Sequence, residues 1–295
     1  MSWRKLWIVA QFELAEALRS RLVIVILGLY GMGAALGAFL FTKALGAAED
    51  MARSALLANM SAHQVPDDLV RREAVPRLIS GLVSDPELRQ ELSRIDPLAL
   101  FYGFMALQLV ALLVLVTSGG AHATDLSRGA TRFVLTRCDR WSWSVGKLLG
   151  HAGLLAVGLT LGALVTSLVA FGQERGDAAN VLWLLRAAFR AWVYGLAYLG
   201  IYSAIALTVR VPGRARALSI VALIGLWIAY SSTQSSWLGA RVPAVEQLGW
   251  LFPAHYKLLL WSPNWLESLP AVFALLAIGG AAFALGNWLF GRGDA

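Results

Sequence analysis

Six apolar stretches divide the chain, and polar or charged segments separate them. A helix needs about 20 mostly apolar residues to cross the hydrocarbon core of a bilayer, and each stretch is close to this length. The apolar residues run continuously instead of alternating with polar ones, which favours spanning helices over barrel strands. The pattern predicts six transmembrane helices, over residues 22–41, 98–121, 145–171, 187–209, 217–235 and 269–290.

Composition agrees with this pattern. Hydrophobic residues make up 58% of the 295-residue chain and charged residues only 15%, whereas a soluble domain has about 25% charged residues. We therefore expect an all-α integral membrane protein, with an in-plane amphipathic helix over residues 1–21 followed by a six-helix transmembrane domain over residues 22–295.

The N-terminal segment favours the membrane interface. Apolar and aromatic residues share one broad face of a helix over 3–19, and Glu13 and Glu16 would be costly at membrane depth. The same two acids interrupt the apolar core that a signal peptide needs. The alternative is that this helix simply extends the first span. The expected interfacial residues are Trp3, Trp7, Phe12 and Arg19.

Two longer connections are expected on the outer side. Residues 42–97 predict a small helical insertion, with a helix start at Asp85-Pro86-Glu87. This insertion either contacts the substrate or an outer partner, or covers the pore. Residues 236–268 are rich in Trp and Tyr and interrupted by Pro, which predicts an interfacial segment of short helices.

Charge sets the expected orientation. The side that holds both termini has thirteen Lys and Arg against five Asp and Glu, while the other side is close to neutral. Short basic loops stay in the cytoplasm, so we expect both termini of this multi-pass protein on the cytoplasmic side of a bacterial inner membrane. The net charge of +7 is thus a topology signal, and no nucleic-acid partner is expected.

A search for catalytic motifs is negative. The chain has no P-loop, HExxH, CxxC or GxSxG pattern, and its four histidines are scattered. The single cysteine, Cys138, excludes an intrachain disulfide. We therefore expect no enzyme activity, metal or cofactor on this chain.

A polar ladder occupies the fourth predicted span. Its residues recur every four positions, and ionisable groups at such depth usually face protein or a water-filled cavity. One interpretation is a translocation path or a contact to an anionic substrate; the other is snorkelling arginines and tyrosines that bond neighbouring helices. The ladder runs from Arg186 through Arg190, Tyr194, Tyr198 and Tyr202. The last four of these, together with Gln108 on the second predicted span, are the candidate path residues.

The loop over 122–144 is the most distinctive segment. It predicts a short helix broken near Gly129, with arginines directed to the cytoplasm and an apolar face formed by Leu126, Phe133, Val134 and Leu135. It contains an acid, Arg-Gly-Ala-Thr, an apolar stretch and an Arg-containing turn, before Gly146-Lys147 in the next span. The candidate functional residues of this pattern are Asp125, Arg128, Gly129, Thr131, Arg132, Phe133, Leu135 and Arg137.

In this order of features the chain resembles type-2 ATP-binding-cassette (ABC) transporter permeases, most closely the branch of nitrous-oxide-reductase maturation and gliding-motility permeases. Ala130 and the Cys138-Asp139 pair depart from the usual form. The resemblance implies a permease subunit, with the 122–144 loop as the coupling segment. Its implied partners are a cytoplasmic ATPase that carries ATP and Mg²⁺, and a second permease copy in a homodimer that works as an exporter. A secondary transporter or channel, and a non-transporting assembly factor, are the alternatives.

Overall fold

A computed structural model describes residues 3–59, 66, 69–70, 95–234, 247–262 and 265–292, without the side chains of Asn59, Ala130 and Arg132. All regular structure in these ranges is helical, as the sequence predicts. The helices are α1 (Trp3–Arg19), α2 (Arg21–Asn59), α3 (Pro97–Ser118), α4 (Ala121–Ser127), α5 (Ala130–Leu135), α6 (Arg140–Gly172), α7 (Ala178–Val209), α8 (Pro212–Thr233), the 3-10 turns Gly249–Leu251 and Pro253–His255, α9 (Tyr256–Leu259) and α10 (Trp265–Arg292).

Six of these helical units are long and apolar enough to cross a membrane: α2, α3 continued by α4, α6, α7, α8 and α10. The expectation of an all-α protein with six spanning helices is confirmed. The first span differs from the prediction at its end, because α2 continues to Asn59 instead of stopping near residue 41. Its 39 residues correspond to about 58 Å, well beyond a hydrocarbon core of about 30 Å.

The extension of α2 takes in the first part of the predicted 42–97 insertion. Its first 18 residues continue α2 as one helix and do not begin a separate unit. The rest of the predicted insertion, including the start signal at Asp85-Pro86-Glu87, falls outside the described residues apart from 66, 69–70 and 95–97.

The bundle has an inner and an outer set of helices. In the most apolar part of α3, α6 and α7, half or more of the residues are buried, against 28% or fewer in α2, α8 and α10. The main core lies between the three inner helices. The outer helices present apolar side chains to the surroundings, including Leu36, Ile224 and Phe273, as lipid-facing helices do.

Glycines bring particular helices close together. A Cβ on Gly279 of α10 would come within 2.8 Å of the Leu196 carbonyl of α7, and one on Gly286 would collide with Ala204. Helices α7 and α10 therefore meet at nearly backbone distance.

Glycines four positions apart on a membrane helix permit close packing, but those in this chain differ in what they contact. The Gly158 and Gly162 pair contacts Leu27 and Tyr30 of α2, whereas a Cβ on Gly33 would meet nothing within 4 Å. Close packing therefore occurs at Gly158 and Gly162 against α2, and at Gly37 against Phe101 of α3, but not at Gly33.

Aspartates fix where three spans begin. Asp96, Asp139 and Asp177 accept hydrogen bonds from backbone N–H groups in the first turns of α3, α6 and α7, and such caps stabilise helix starts. Asp139, one of the residues that depart from the usual form of the loop, therefore has a structural role at the start of α6. The described part of the segment before α10 contains short helical pieces, and Trp261 lies directly over Gly103 of α3.

Candidate functional site

Lys147 joins three parts of the chain at one end of the bundle, which we call the Lys147 end. Its side chain, 4% exposed, lies on α6. The Nζ group donates to Glu13 Oε1 of α1 at 2.7 Å, to Glu13 Oε2 at 2.8 Å and to Asp125 Oδ2 of α4 at 2.7 Å. One ammonium group thus holds the N-terminal helix and the loop after the second span against the third span.

A histidine extends this cluster. His151, one turn further along α6, places Nε2 3.0 Å from Glu13 Oε1, without the alignment of a regular hydrogen bond. Its Nδ1 lies 3.1 Å from Ser118 Oγ at the end of α3. Burial alone would raise the pKa of Glu13, but the His151 contact and the Lys147 charge outweigh it and lower this pKa to about 2. Glu13 therefore stays ionised at neutral pH.

Small residues allow the close approach of α1 to α6. A Cβ on Gly146 would come within 2.7 Å of Val9, and one on Gly150 within 2.7 Å of the Glu13 side chain. On α1, Leu6 and Ala10 are buried on the face that carries Glu13. The helix therefore docks on α6 through a narrow stripe that ends in an ion pair.

The expected interfacial residues lie away from this stripe. Trp3, Trp7 and Phe12 are 71%, 55% and 68% exposed, and Arg19 at the end of α1 is also exposed. They leave an open apolar face on α1 next to the face that contacts α6, an arrangement suited to a membrane interface.

The loop between the second and third spans forms two short helices. Gly129, at φ 72°, separates α4 from α5, and this left-handed conformation favours glycine. Arg128 and Arg137 are exposed, Thr131 is buried, and Phe133 is 80% exposed. The side chain of Arg132 lies outside the description.

The apolar face expected on this loop is only partly available. Leu126, Val134 and Leu135 pack against a small cluster that contains Trp143 and Phe290. Phe133 is the member of the expected face that the structure leaves fully exposed. The exposed apolar surface of this loop is therefore smaller than the sequence indicated.

A groove of about 590 Å³ separates α1 from α5. Ile8, Val9 and Val134 contribute apolar surface, while Lys5 and Arg137 contribute positive charge. Phe133 and Cys138 also line it, and burial, with the neighbouring charge of Asp139, raises the pKa of the Cys138 thiol. The groove suits a partner segment with an apolar side chain and nearby acids.

The candidate path residues separate into two groups. Gln108, Tyr194 and Tyr198 line one groove between α3, α7 and α8, and the two tyrosine hydroxyls are 3.0 Å apart. Tyr202 is fully buried beside Tyr198. Arg190 is elsewhere, since its guanidinium donates to the Ser262 carbonyl at 2.7 Å.

The sequence interpretation missed the pairing of Glu13, Lys147 and His151. Leu6, Ala10 and Glu13 are spaced like one face of a helix, and Gly146 and Gly150 form a small-residue pair next to Lys147. Those two spacings are the signal that could have indicated a contact between the two helices. Glu13 and Lys147 are 134 positions apart, and neither sequence segment alone predicts that they pair.

Fold and site together define a multi-pass helical membrane protein with a buried charge cluster at one end. No protein-family model matches the chain, and no curated protein does so either. Within the described ranges, no group of three or more His, Cys, Asp or Glu side chains is placed to hold a metal ion.

The depressed pKa of Glu13 predicts acid sensitivity. Its ordinary value is 4.5 and its folded value about 2, so this carboxylate stabilises the fold fully above pH 4.5 and progressively less as the pH falls toward 2. We expect the thermal stability of the detergent-solubilised protein to decline across this window. Glu13→Gln should be less stable at pH 7 and should show a flatter decline; an identical pH profile in the variant would contradict the assignment.

Proposed function

We propose that the protein is the transmembrane subunit of an ABC exporter in a bacterial cytoplasmic membrane. In this proposal the Lys147 end faces the cytoplasm and binds a separate ATPase subunit, which carries ATP and Mg²⁺, and a second copy of the chain completes the pathway. The chain itself is not an enzyme. The observation that carries the proposal is the Lys147 cluster, which connects the loop at Asp125 both to α1 and to a spanning helix.

This connection would make the loop a mechanical link. A force on α4 and α5 would reach α6 through Lys147, and α6 is one of the three inner helices. Packed helices respond to such forces by rigid-body shifts. A loop anchored by a nearly buried ammonium group can transmit a displacement that a solvated loop would absorb.

The exposed surface beside the cluster supports a protein partner. Arg128, Phe133 and Arg137 are exposed on the loop, and the 590 Å³ groove lies between it and α1. An aromatic side chain among arginines is typical of interface centres. An ATPase with an acidic rim and an apolar projection would complement this surface.

Orientation is tested first, with a cysteine placed on the loop. Phe133→Cys exposes a thiol where the native side chain is 80% exposed, whereas the native Cys138 is buried. A membrane-impermeant maleimide should label this variant in inverted vesicles and leave it unlabelled in right-side-out vesicles. The opposite labelling pattern would overturn the proposal.

The partner is tested with charge reversal. We expect Arg128→Glu combined with Phe133→Ser to reduce co-purification of the ABC-type ATPase encoded in the same genome by about tenfold or more, since interface centres of this kind typically contribute 2 kcal/mol or more. Membrane insertion should be unchanged. Lys43→Glu is the matched control, because Lys43 is an exposed cation on α2 outside the loop surface. Equal ATPase recovery from the double variant and the control would count against the proposal.

A further inference from the structure

A second groove opens on the side of the bundle between α3, α7, α8 and the short helix α9. Its volume is about 430 Å³. Leu112, Leu223 and Ile224 line its apolar part, with Leu112 and Ile224 also exposed at the surface, while Tyr230, Ser231 and Lys257 lie toward the other end of the bundle. Ile224 and Ser231 are seven residues apart, which is about 10 Å along α8. Along α8 the lining thus changes from apolar to polar over that distance, and Gln108, Tyr194 and Tyr198 of α3 and α7 also line the groove.

Lys257 is the charged residue in the lining of this groove. It is partly buried, and its ammonium lies 5.7 Å from the centre of the Phe104 ring. Burial lowers the pKa of Lys257 to about 8, so the amine is still mostly protonated at pH 7. None of the ion pairs found among the described residues involves it.

The other polar groups of the groove are partly satisfied within the protein. Tyr194 and Tyr198 share a hydrogen bond, so they do not require a ligand. Lys257 differs from them, because a partly desolvated ammonium without a carboxylate gains free energy from a bound anion. The strongest ligand preference of the groove is therefore for an anion at Lys257, at its polar end.

We propose that this groove binds an acidic lipid, with the anionic headgroup at Lys257 and an acyl chain along Leu112, Leu223 and Ile224. Tyr230 and Ser231 are placed to donate to the headgroup, and the exposed Trp227 ring flanks the chain. The lateral opening gives access from the bilayer, where aromatic and basic side chains commonly contact headgroups.

The length of the apolar part favours a lipid over a small anion. A free phosphate would use Lys257 and leave the apolar part of the groove unfilled, whereas an acyl chain packs along it and gains the van der Waals contacts that an unfilled groove lacks. The inference rests on the membrane placement in the proposed function and not on the ATPase. A negative result for lipid binding therefore leaves the ATPase proposal standing, and the reverse also holds.

The test is a native mass spectrometric titration of the purified full chain in detergent with dioleoyl phosphatidylglycerol and, separately, dioleoyl phosphatidylcholine. We expect the wild-type chain to bind the acidic lipid about tenfold more tightly, because both headgroups carry a phosphate but the choline cation of phosphatidylcholine offsets its attraction to Lys257. Lys257→Met should lose this preference while it still binds phosphatidylcholine, which shows that it remains folded. Lys257→Arg should keep it.

Two further measurements separate the groove from general surface effects. Lys43→Met removes an exposed lysine on α2 and should keep the preference. Ile224→Trp fills the groove and should weaken binding of both lipids. Equal affinity of the wild-type chain for the two lipids, an unchanged preference in Lys257→Met, or full displacement of the acidic lipid by millimolar inorganic phosphate would overturn the proposal.

Discussion

Lys147→Met is expected to destabilise the protein more than any other single substitution at the Lys147 end. The change keeps the length of the side chain but leaves two carboxylates, Glu13 at 15% exposure and Asp125 at 32%, without their shared cation. Removing one partner of a buried ion pair costs about 3–5 kcal/mol, which corresponds to a Tm lower by roughly 6–20 °C. Thermal melting of the purified protein in detergent measures the change.

The detachment of α1 should accompany this loss. Glu13 is its main polar contact with α6, so limited proteolysis should cleave near Ser20 faster in Lys147→Met than in the wild-type chain. The exposed Lys43 provides the control, since Lys43→Met should change stability by no more than about 0.5 kcal/mol.

A charge-free triple variant distinguishes lost charge pairing from lost packing. Replacing a buried ionic group by neutral side chains of similar volume is often close to neutral in stability. Glu13→Gln with Asp125→Asn and Lys147→Met should therefore recover most of the stability lost in the single variant. A single variant as stable as the wild-type chain, or a triple variant no better than the single one, would show that the cluster does not hold α1 in place.

Much of the fold was accessible from the sequence because hydrophobic runs of bilayer length have few alternative structures. The six spans were identified on this basis, and the structure adds that Asp96 caps the start of α3. The end of α2 could not be predicted from the sequence. Residues 42–59 have mixed polarity, and their helix continues beyond the apolar run that revealed the span. Hydropathy marks where a helix is buried in lipid, and not where it ends.

The site was harder to predict for a different physical reason. Asp125 and Gly146-Lys147 were recognised as parts of a pattern, but their contact depends on how α4 folds back on α6. Likewise, Leu126 and Leu135 were expected on a docking face, yet they are partly buried against Trp143 and Phe290. Apolar side chains on a short helix serve either an internal or an external contact, and local sequence does not distinguish the two.

The second large effect is expected at the contact between α7 and α10, where two adjacent glycines should respond in opposite ways. A Cβ on Gly279 would lie 2.8 Å from the Leu196 carbonyl and 2.9 Å from the Ala197 Cα, whereas one on Gly280 would meet nothing within 4 Å. Gly279→Ala must push two helix backbones apart, and such overpacking costs about 1–3 kcal/mol or more.

Gly280→Ala is the matched control for this prediction, since it changes the same residue type one position further along the same helix. Alanine favours helix over glycine by up to about 1 kcal/mol, so the Tm of Gly280→Ala should equal or exceed that of the wild-type chain while Gly279→Ala melts several degrees lower. Thermal melting of both variants in one detergent measures the difference. Equal melting temperatures for the two variants would mean that α7 and α10 are not in backbone contact. The contact is what makes a single methyl group costly at Gly279 and harmless at the neighbouring Gly280.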